Sequence, residues 1–158
     1  MKIILVDDDP LALEGISRIL HWERFDGCLA GCAADGREAV ALLEREHPDV
    51  VISDIRMPDM DGLELACYVY ERCPGTRMIL ISGHGEFEYA QQALQYQVTD
   101  YILKPVTRAK LNELEERLMA IRKELSEDLP PWYACDEALR TRVGEALRRG
   151  DMAAVAEL

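Results

Sequence analysis

The sequence predicts an α/β protein: one doubly wound sheet of five parallel strands with helices on both faces, followed by a helical extension. Three observations predict it. Short apolar runs alternate five times with longer amphipathic stretches within about 120 residues, the pattern of repeated strand–helix units. The strand runs are apolar throughout, Val50-Val51-Ile52 above all, as strands buried on both faces require. Proline and glycine punctuate the runs at Pro10, Gly36, Pro48, Gly62 and Pro74-Gly75.

Each element has a local reason. Ile3-Ile4-Leu5-Val6 is a buried-strand run that ends in acids. Pro10 sits where a helix can begin, and Leu13, Ile16 and Leu20 follow at helical spacing. Cys28 to Ala33 is a weak second strand; Asp35-Gly36 turns the chain and caps a helix striped by Ala39, Val40 and Leu43, which Pro48 breaks. Asp49 to Ser53 is the third strand, 57–62 a loop, and Leu65, Ala66 and Val69 share one face of the third helix, ended by Pro74-Gly75. Met78 to Ile81 is the fourth strand; Phe87, Ala90 and Leu94 form the stripe of the fourth helix. Tyr101-Ile102-Leu103 is a short fifth strand, and Thr107 caps a fifth helix carrying Leu111, Leu114, Leu118, Ile121 and Leu125.

In such a sheet the site lies beyond the carboxyl ends of the strands. Asp7, Asp8 and Asp9 follow the first strand, Asp54 the third, Ser82 the fourth and Lys104 the fifth. Four strand ends thus deliver polar groups to one edge. Two carboxylates about 4 Å apart repel by roughly 4 kcal/mol at an effective dielectric of 20. Lys104 offsets part of that for Asp7, Asp8 and Asp54, and a hard divalent ion, Mg2+, suits the rest. A metal and an ammonium beside a carboxylate also suit phosphoryl transfer: an Asp54 oxygen attacks phosphorus in line, Lys104 neutralises charge, and the Ser82 hydroxyl donates to a phosphoryl oxygen.

Four motifs carry a family resemblance: Val6-Asp7-Asp8-Asp9-Pro10, Ile52-Ser53-Asp54-Ile55-Arg56-Met57-Pro58-Asp59-Met60-Asp61-Gly62, Ile81-Ser82-Gly83, and Tyr101-Ile102-Leu103-Lys104-Pro105. In this order and spacing the chain resembles the receiver domain of bacterial two-component response regulators over residues 1–124. The resemblance implies a flavodoxin-like (CheY-like) sheet of order 2-1-3-4-5. It implies that Asp54 accepts a phosphoryl group from a sensor histidine kinase, and that Asp7, Asp8, Asp54 and the backbone carbonyl of Arg56 hold Mg2+. Lys104 would pair with the phosphate beside a cis bond to Pro105. Ser82 would be the hydroxyl that moves to the phosphate, and Tyr101 the aromatic that turns inward with it. Arg56 and His84, two residues beyond Asp54 and Ser82, would tune the hydrolysis of the acyl phosphate, and their bulk predicts a slow rate. The protein would catalyse only its own phosphorylation and dephosphorylation.

Ser82 to Ala90 with Leu103-Lys104-Pro105-Val106 is similar to the subgroup whose output is an AraC-type helix-turn-helix DNA-binding domain. Residues 125–158 read as a linker and the start of a truncated helical connector: Pro130-Pro131 stops a helix, Leu139, Val143 and Leu147 mark another, Gly150 ends it, and the chain finishes inside an apolar helical pattern. The expectation is that the natural protein continues into its output domain. The leucine stripe of the fifth helix also reads as a heptad seam, with Leu118 to Leu125 outrunning the sheet and free to pair with a second copy in a homodimer.

Composition narrows the classes. The 158 residues fit one domain, and 49% hydrophobic residues provide a core. Thirty acidic against 18 basic residues give a formal charge of −12, which argues against a nucleic-acid or anionic-membrane surface within these residues. No apolar run approaches a membrane span, and the start turns acidic too soon for a signal peptide. The five cysteines read as small buried or half-buried free thiols in a reducing cytoplasm; Cys28 and Cys32 have loose metal-ligand spacing but no matching pair. Other functions stay open: a stand-alone regulator acting through protein contacts, or a phosphohydrolase, although Asp54-Ile55-Arg56 lacks that class's second acid. A nucleotide switch lacks its glycine-rich phosphate loop.

Overall fold

The fold is described from a computed structural model for residues 1–83 and 87–127. The chain runs β1 (Lys2–Val6), α1 (Pro10–Ile19), a 3-10 turn (Trp22–Phe25), β2 (Cys28–Ala33), α2 (Gly36–Glu46), β3 (Val50–Asp54), α3 (Gly62–Arg72), β4 (Arg77–Ser82), α4 (Phe87–Gln95), β5 (Asp100–Leu103) and α5 (Arg108–Glu127). All strand pairs are parallel, and the sheet order is β2-β1-β3-β4-β5. The strand–helix alternation predicts this doubly wound parallel sheet, and the strand order is the one that the family resemblance implies.

Strand pleating splits the core into two layers. Ile4, Val6, Val51 and Leu80 face α2, α3 and α4, meeting Ala39, Leu43, Leu65, Ala66, Val69 and Ala93. Ile3, Leu5, Ile52, Ile79 and Ile81 face α1 and α5, meeting Ile16, Leu20, Leu111, Leu114, Leu118 and Ile121. Helix starts are set by side chains. Asp9 accepts from the Leu11 amide, with Pro10 opening α1. Asp35 accepts from the Glu38 amide, and Asp61 and Glu64 form a capping box. Thr107 Oγ1 accepts from the Lys110 amide at 3.4 Å.

Three expectations are corrected. Leu118 and Ile121 are 0% and 1% exposed within their own chain, so α5 does not outrun the sheet there, and the seam up to Ile121 is core. Leu94 is 73% exposed; Ala93 takes the inward place on α4 because the helix turns its small residue to the sheet. Cys67 and Cys73 are half-buried, but Cys28 and Cys32 are exposed. They lie on the edge strand β2, whose register slips at Ala30 and throws them to opposite faces. No helix among the described residues is long and apolar enough to cross a membrane. The proposed connector lies outside the described residues, apart from the end of α5.

The 3-10 turn and its anchor were not expected. Glu115, on α5, is 1% exposed. Its carboxylate accepts from the His21 amide at 2.8 Å and from His21 Nδ1 at 2.9 Å, and pairs with the Arg24 guanidinium. A second pair, Arg122 to Asp26 at 2.8 Å, fastens the same corner to α5.

Candidate functional site: an acidic pocket at the strand ends

The site is assembled by backbone continuity. Asp7 leaves β1, Asp54 ends β3, Ser82 ends β4 and Lys104 follows β5. Parallel pairing aligns these ends: Val6 is opposite Ser53, Asp54 opposite Ile81, and Ser82 opposite Leu103. One carboxylate oxygen each from Asp7, Asp8 and Asp54 lies within 4.8 Å of the others. Lys104 Nζ is 3.1 Å from Asp54 Oδ1 and 3.6 Å from Asp7 Oδ2. Asp7 and Asp54 are buried, Asp8 is exposed and Lys104 is half-buried.

Burial pushes the Asp54 carboxyl up from its ordinary value; the bond and charge of Lys104 hold it back, and the Asp7 charge adds to the rise. Burial works against the Lys104 charge, but Asp54 and Asp7 together outweigh it and raise the ammonium pKa. Three carboxylates against one ammonium leave an excess of two negative charges. All the acidic ligands are hard oxygens, so the pocket fits a divalent cation in both charge and donor type.

The other predicted residues fall as follows. Ser82 is fully buried, and its hydroxyl donates to the Gly83 carbonyl at 3.2 Å. The Lys104–Pro105 bond is cis. Arg56 is exposed on the loop after β3. Tyr101 is half-buried and packs against the core layer containing Leu80 and Ala93. Its hydroxyl is buried and meets no hydrogen-bond partner among the described residues. His84 lies outside the described residues.

Three supports escape the sequence reading. The Asp9 amide donates to Asp7 Oδ1 at 2.9 Å, so the third acid of the run orients the first while its own carboxylate caps α1. The Ser53 hydroxyl donates to the Asp54 carbonyl at 2.8 Å. Gly62 presses on that same carbonyl: a Cβ there would stand 2.2 Å from it. The Asp61-Gly62 pair was a visible turn signal, but its closeness to Asp54 is tertiary. Beside the acids, between α1 and the β5–α5 connection, opens a cavity of about 580 Å³ lined by Asp7, Asp9, Ala12, Ile16, Ile19, Lys104, Val106 and Leu111.

A parallel sheet with acids and a lysine gathered at its carboxyl edge defines a class, and comparison with known proteins agrees with it. Residues 3–116 match the response regulator receiver domain, and the chain belongs to that family, one of regulators rather than metabolic enzymes. It is 40% identical over 124 residues to the "uncharacterized transcriptional regulatory protein YesN" of Bacillus subtilis, covering 78% of this chain and 34% of that one. It is 31% identical over 140 residues to the transcriptional regulatory protein HptR of Staphylococcus aureus, covering 88% and 55%. The chain therefore spans about a third to a little over half of these relatives. Among solved structures, the REC domain of AraT, a response regulator from Geobacillus stearothermophilus, superposes with a TM-score of 0.73 at 38% identity, covering 80% of this chain and 96% of that one. A CheX–CheY–BeF3–Mg2+ complex from Borrelia burgdorferi superposes at 0.67 with 28% identity, covering 77% and 88%.

Proposed function

We propose that this chain is a phosphorylation-activated receiver that takes a phosphoryl group on Asp54 from the phosphohistidine of a sensor kinase. The observation that carries the reading is the set of three carboxylates within 4.8 Å with the Lys104 ammonium 3.1 Å from Asp54 Oδ1. An Asp54 oxygen attacks phosphorus, the phosphorus–nitrogen bond to the donor imidazole breaks, and the imidazole leaves with the bonding pair and takes up a proton. Lys104 neutralises the equatorial oxygens. Asp7, Asp8, Asp54 and the Arg56 carbonyl would hold Mg2+, which supplies further neutralisation of the transferring group. The cavity beside α1 gives the donor's flanking side chains room to approach.

Phosphorylation places nearly two added charges and three acceptor oxygens on Asp54. Ser82 then re-aims its hydroxyl from Gly83 towards them, and Tyr101, whose hydroxyl already lies buried, holds the matching inward position. The surface of α4, β5 and α5 changes with it, a two-state element biased by a local charge. Arg56 and His84 border the water's route and slow hydrolysis. In the cell the domain acts in the cytoplasm, as a homodimer through α4, β5 and α5, and controls transcription through an AraC-type DNA-binding domain in the longer protein. The relatives named as transcriptional regulators support that output.

The test is incubation with Mg2+ and a small phosphodonor, followed by intact mass. Wild type gains one phosphoryl group and Asp54→Asn gains none; equal labelling of the two would overturn the assignment.

A further inference from the structure

We propose that Lys110 is a positioning residue for Lys104, holding the peptide group from which the phosphate-pairing lysine projects. This rests on the reading of Asp54 as phosphoacceptor.

The argument starts at the edge strand. β5 is the last strand of the sheet and pairs only with β4. The amide of Lys104 extends that pairing, donating to the Ser82 carbonyl at 2.6 Å. The carbonyl of Leu103 belongs to the same planar peptide group and points the opposite way, off the edge, where no strand can receive it. Lys110 Nζ donates to that carbonyl. One peptide plane is thus gripped from both sides, by Ser82 on the sheet side and Lys110 on the solvent side. That plane sets the direction in which the Lys104 side chain leaves the backbone, and so where its ammonium meets Asp54 and Asp7.

A second observation points to the same residue. α1, α2 and α3 open on Asp9, Asp35 and Asp61, which suit the positive end of a helix dipole. α5 opens on neutral Thr107 and carries Arg108 and Lys110, with no acid, in its first turn. Lys110 therefore stands at the end of the helix that disfavours a cation. α5 thus keeps a cation where its dipole resists one, and the ammonium of that cation meets the Leu103 carbonyl. The bond closes residues 103–110 into a ring that includes Lys104 and Pro105.

The experiment compares wild type, Lys110→Met, which keeps the aliphatic stem without a donor, and Lys110→Arg, which keeps a donor. The initial rate of Asp54 labelling by a small acyl phosphate is measured across donor and Mg2+ concentrations, beside thermal midpoints. In Lys110→Met the maximal rate falls about tenfold, because a displaced catalytic group loses transition-state contacts. Half-saturating donor and Mg2+ concentrations stay put, and the midpoint stays within about 2 °C. Lys110→Arg recovers most of the rate. A Lys110→Met protein that labels as fast as wild type overturns the inference, as does a loss matched by unfolding or one that arginine does not rescue. Wild type that takes no label, or Asp54→Asn that does, removes the phosphoacceptor reading itself and this inference with it.

Discussion

Lys104 Nζ sits 3.1 Å from Asp54 Oδ1 while also reaching Asp7, so one ammonium bridges the two buried carboxylates of the pocket. The bridge compensates the acids only in part, since the Asp54 carboxyl is still pushed up by burial.

Removing the Asp54 charge therefore relieves the protein. In a metal-free buffer at neutral pH, Asp54→Asn unfolds at a higher denaturant concentration than wild type, by about 1 kcal/mol. Lys104→Met moves the midpoint the other way and abolishes labelling of Asp54. Chemical denaturation in a chelator checks both signs; an Asp54→Asn protein weaker than wild type would contradict the electrostatic account.

Glu115 gives the protein an acid-sensitive fastening. Burial works against its charge, but the His21 amide and ring and the Arg24 guanidinium outweigh it, and its pKa lies below the ordinary value of 4.5. A carboxyl lowered by folding stabilises fully above its unfolded pKa and loses that contribution as pH falls through the folded value. Wild type should thus lose stability below about pH 4.5 more steeply than Glu115→Gln, which at pH 7 is weaker by about 2 kcal/mol. Urea midpoints between pH 3 and pH 7 measure the two slopes, and parallel slopes would remove the fastening.

Gly62 cannot gain a methyl group without moving the backbone of Asp54. A Cβ would stand 2.2 Å from the Asp54 carbonyl and 2.8 Å from Ile55 Cα, both backbone atoms. Gly62→Ala should cost about 2–3 kcal/mol and slow phosphoryl uptake, because relief displaces the strand end that carries Asp54. The control Gly75→Ala, where a Cβ meets nothing within 4 Å, should be nearly silent in the same assays.

The α5 stripe can be assigned by one substitution. Leu118 is fully enclosed by its own chain, so Leu118→Ala should cost about 3 kcal/mol in unfolding and leave the sedimentation behaviour of the folded protein unchanged. A dissociated but equally stable variant would restore the seam.

The alternation of Ile3 to Val6, Val50 to Ser53 and Met78 to Ile81 with amphipathic stretches was enough to read the five-stranded sheet, because continuous apolar runs have few other uses in a short chain. Asp7, Asp54, Ser82 and Lys104 were readable for a related reason: each directly follows or ends a strand, and parallel topology does the gathering. Leu94 was misread, with Ala93 buried in its place, because a short helix leaves its phase ambiguous by one residue. Leu118 and Ile121 follow the same period whether they meet a sheet or a second helix. Glu115 looks like any surface glutamate of a charged helix, and only the fold brings His21 and Arg24 to it from about 90 positions away.

The pocket draws its groups from β1, β3, β4 and the turn after β5, elements spread along nearly the whole described chain. No fragment, and no early intermediate still missing its last strand, holds a complete set. Under the proposed function, competence to take a phosphoryl group therefore arrives only when the sheet is finished, and a damaged or half-made copy would be deaf to the kinase. A cation captured by the completed acids would deepen that all-or-none character, favouring finished molecules by mass action.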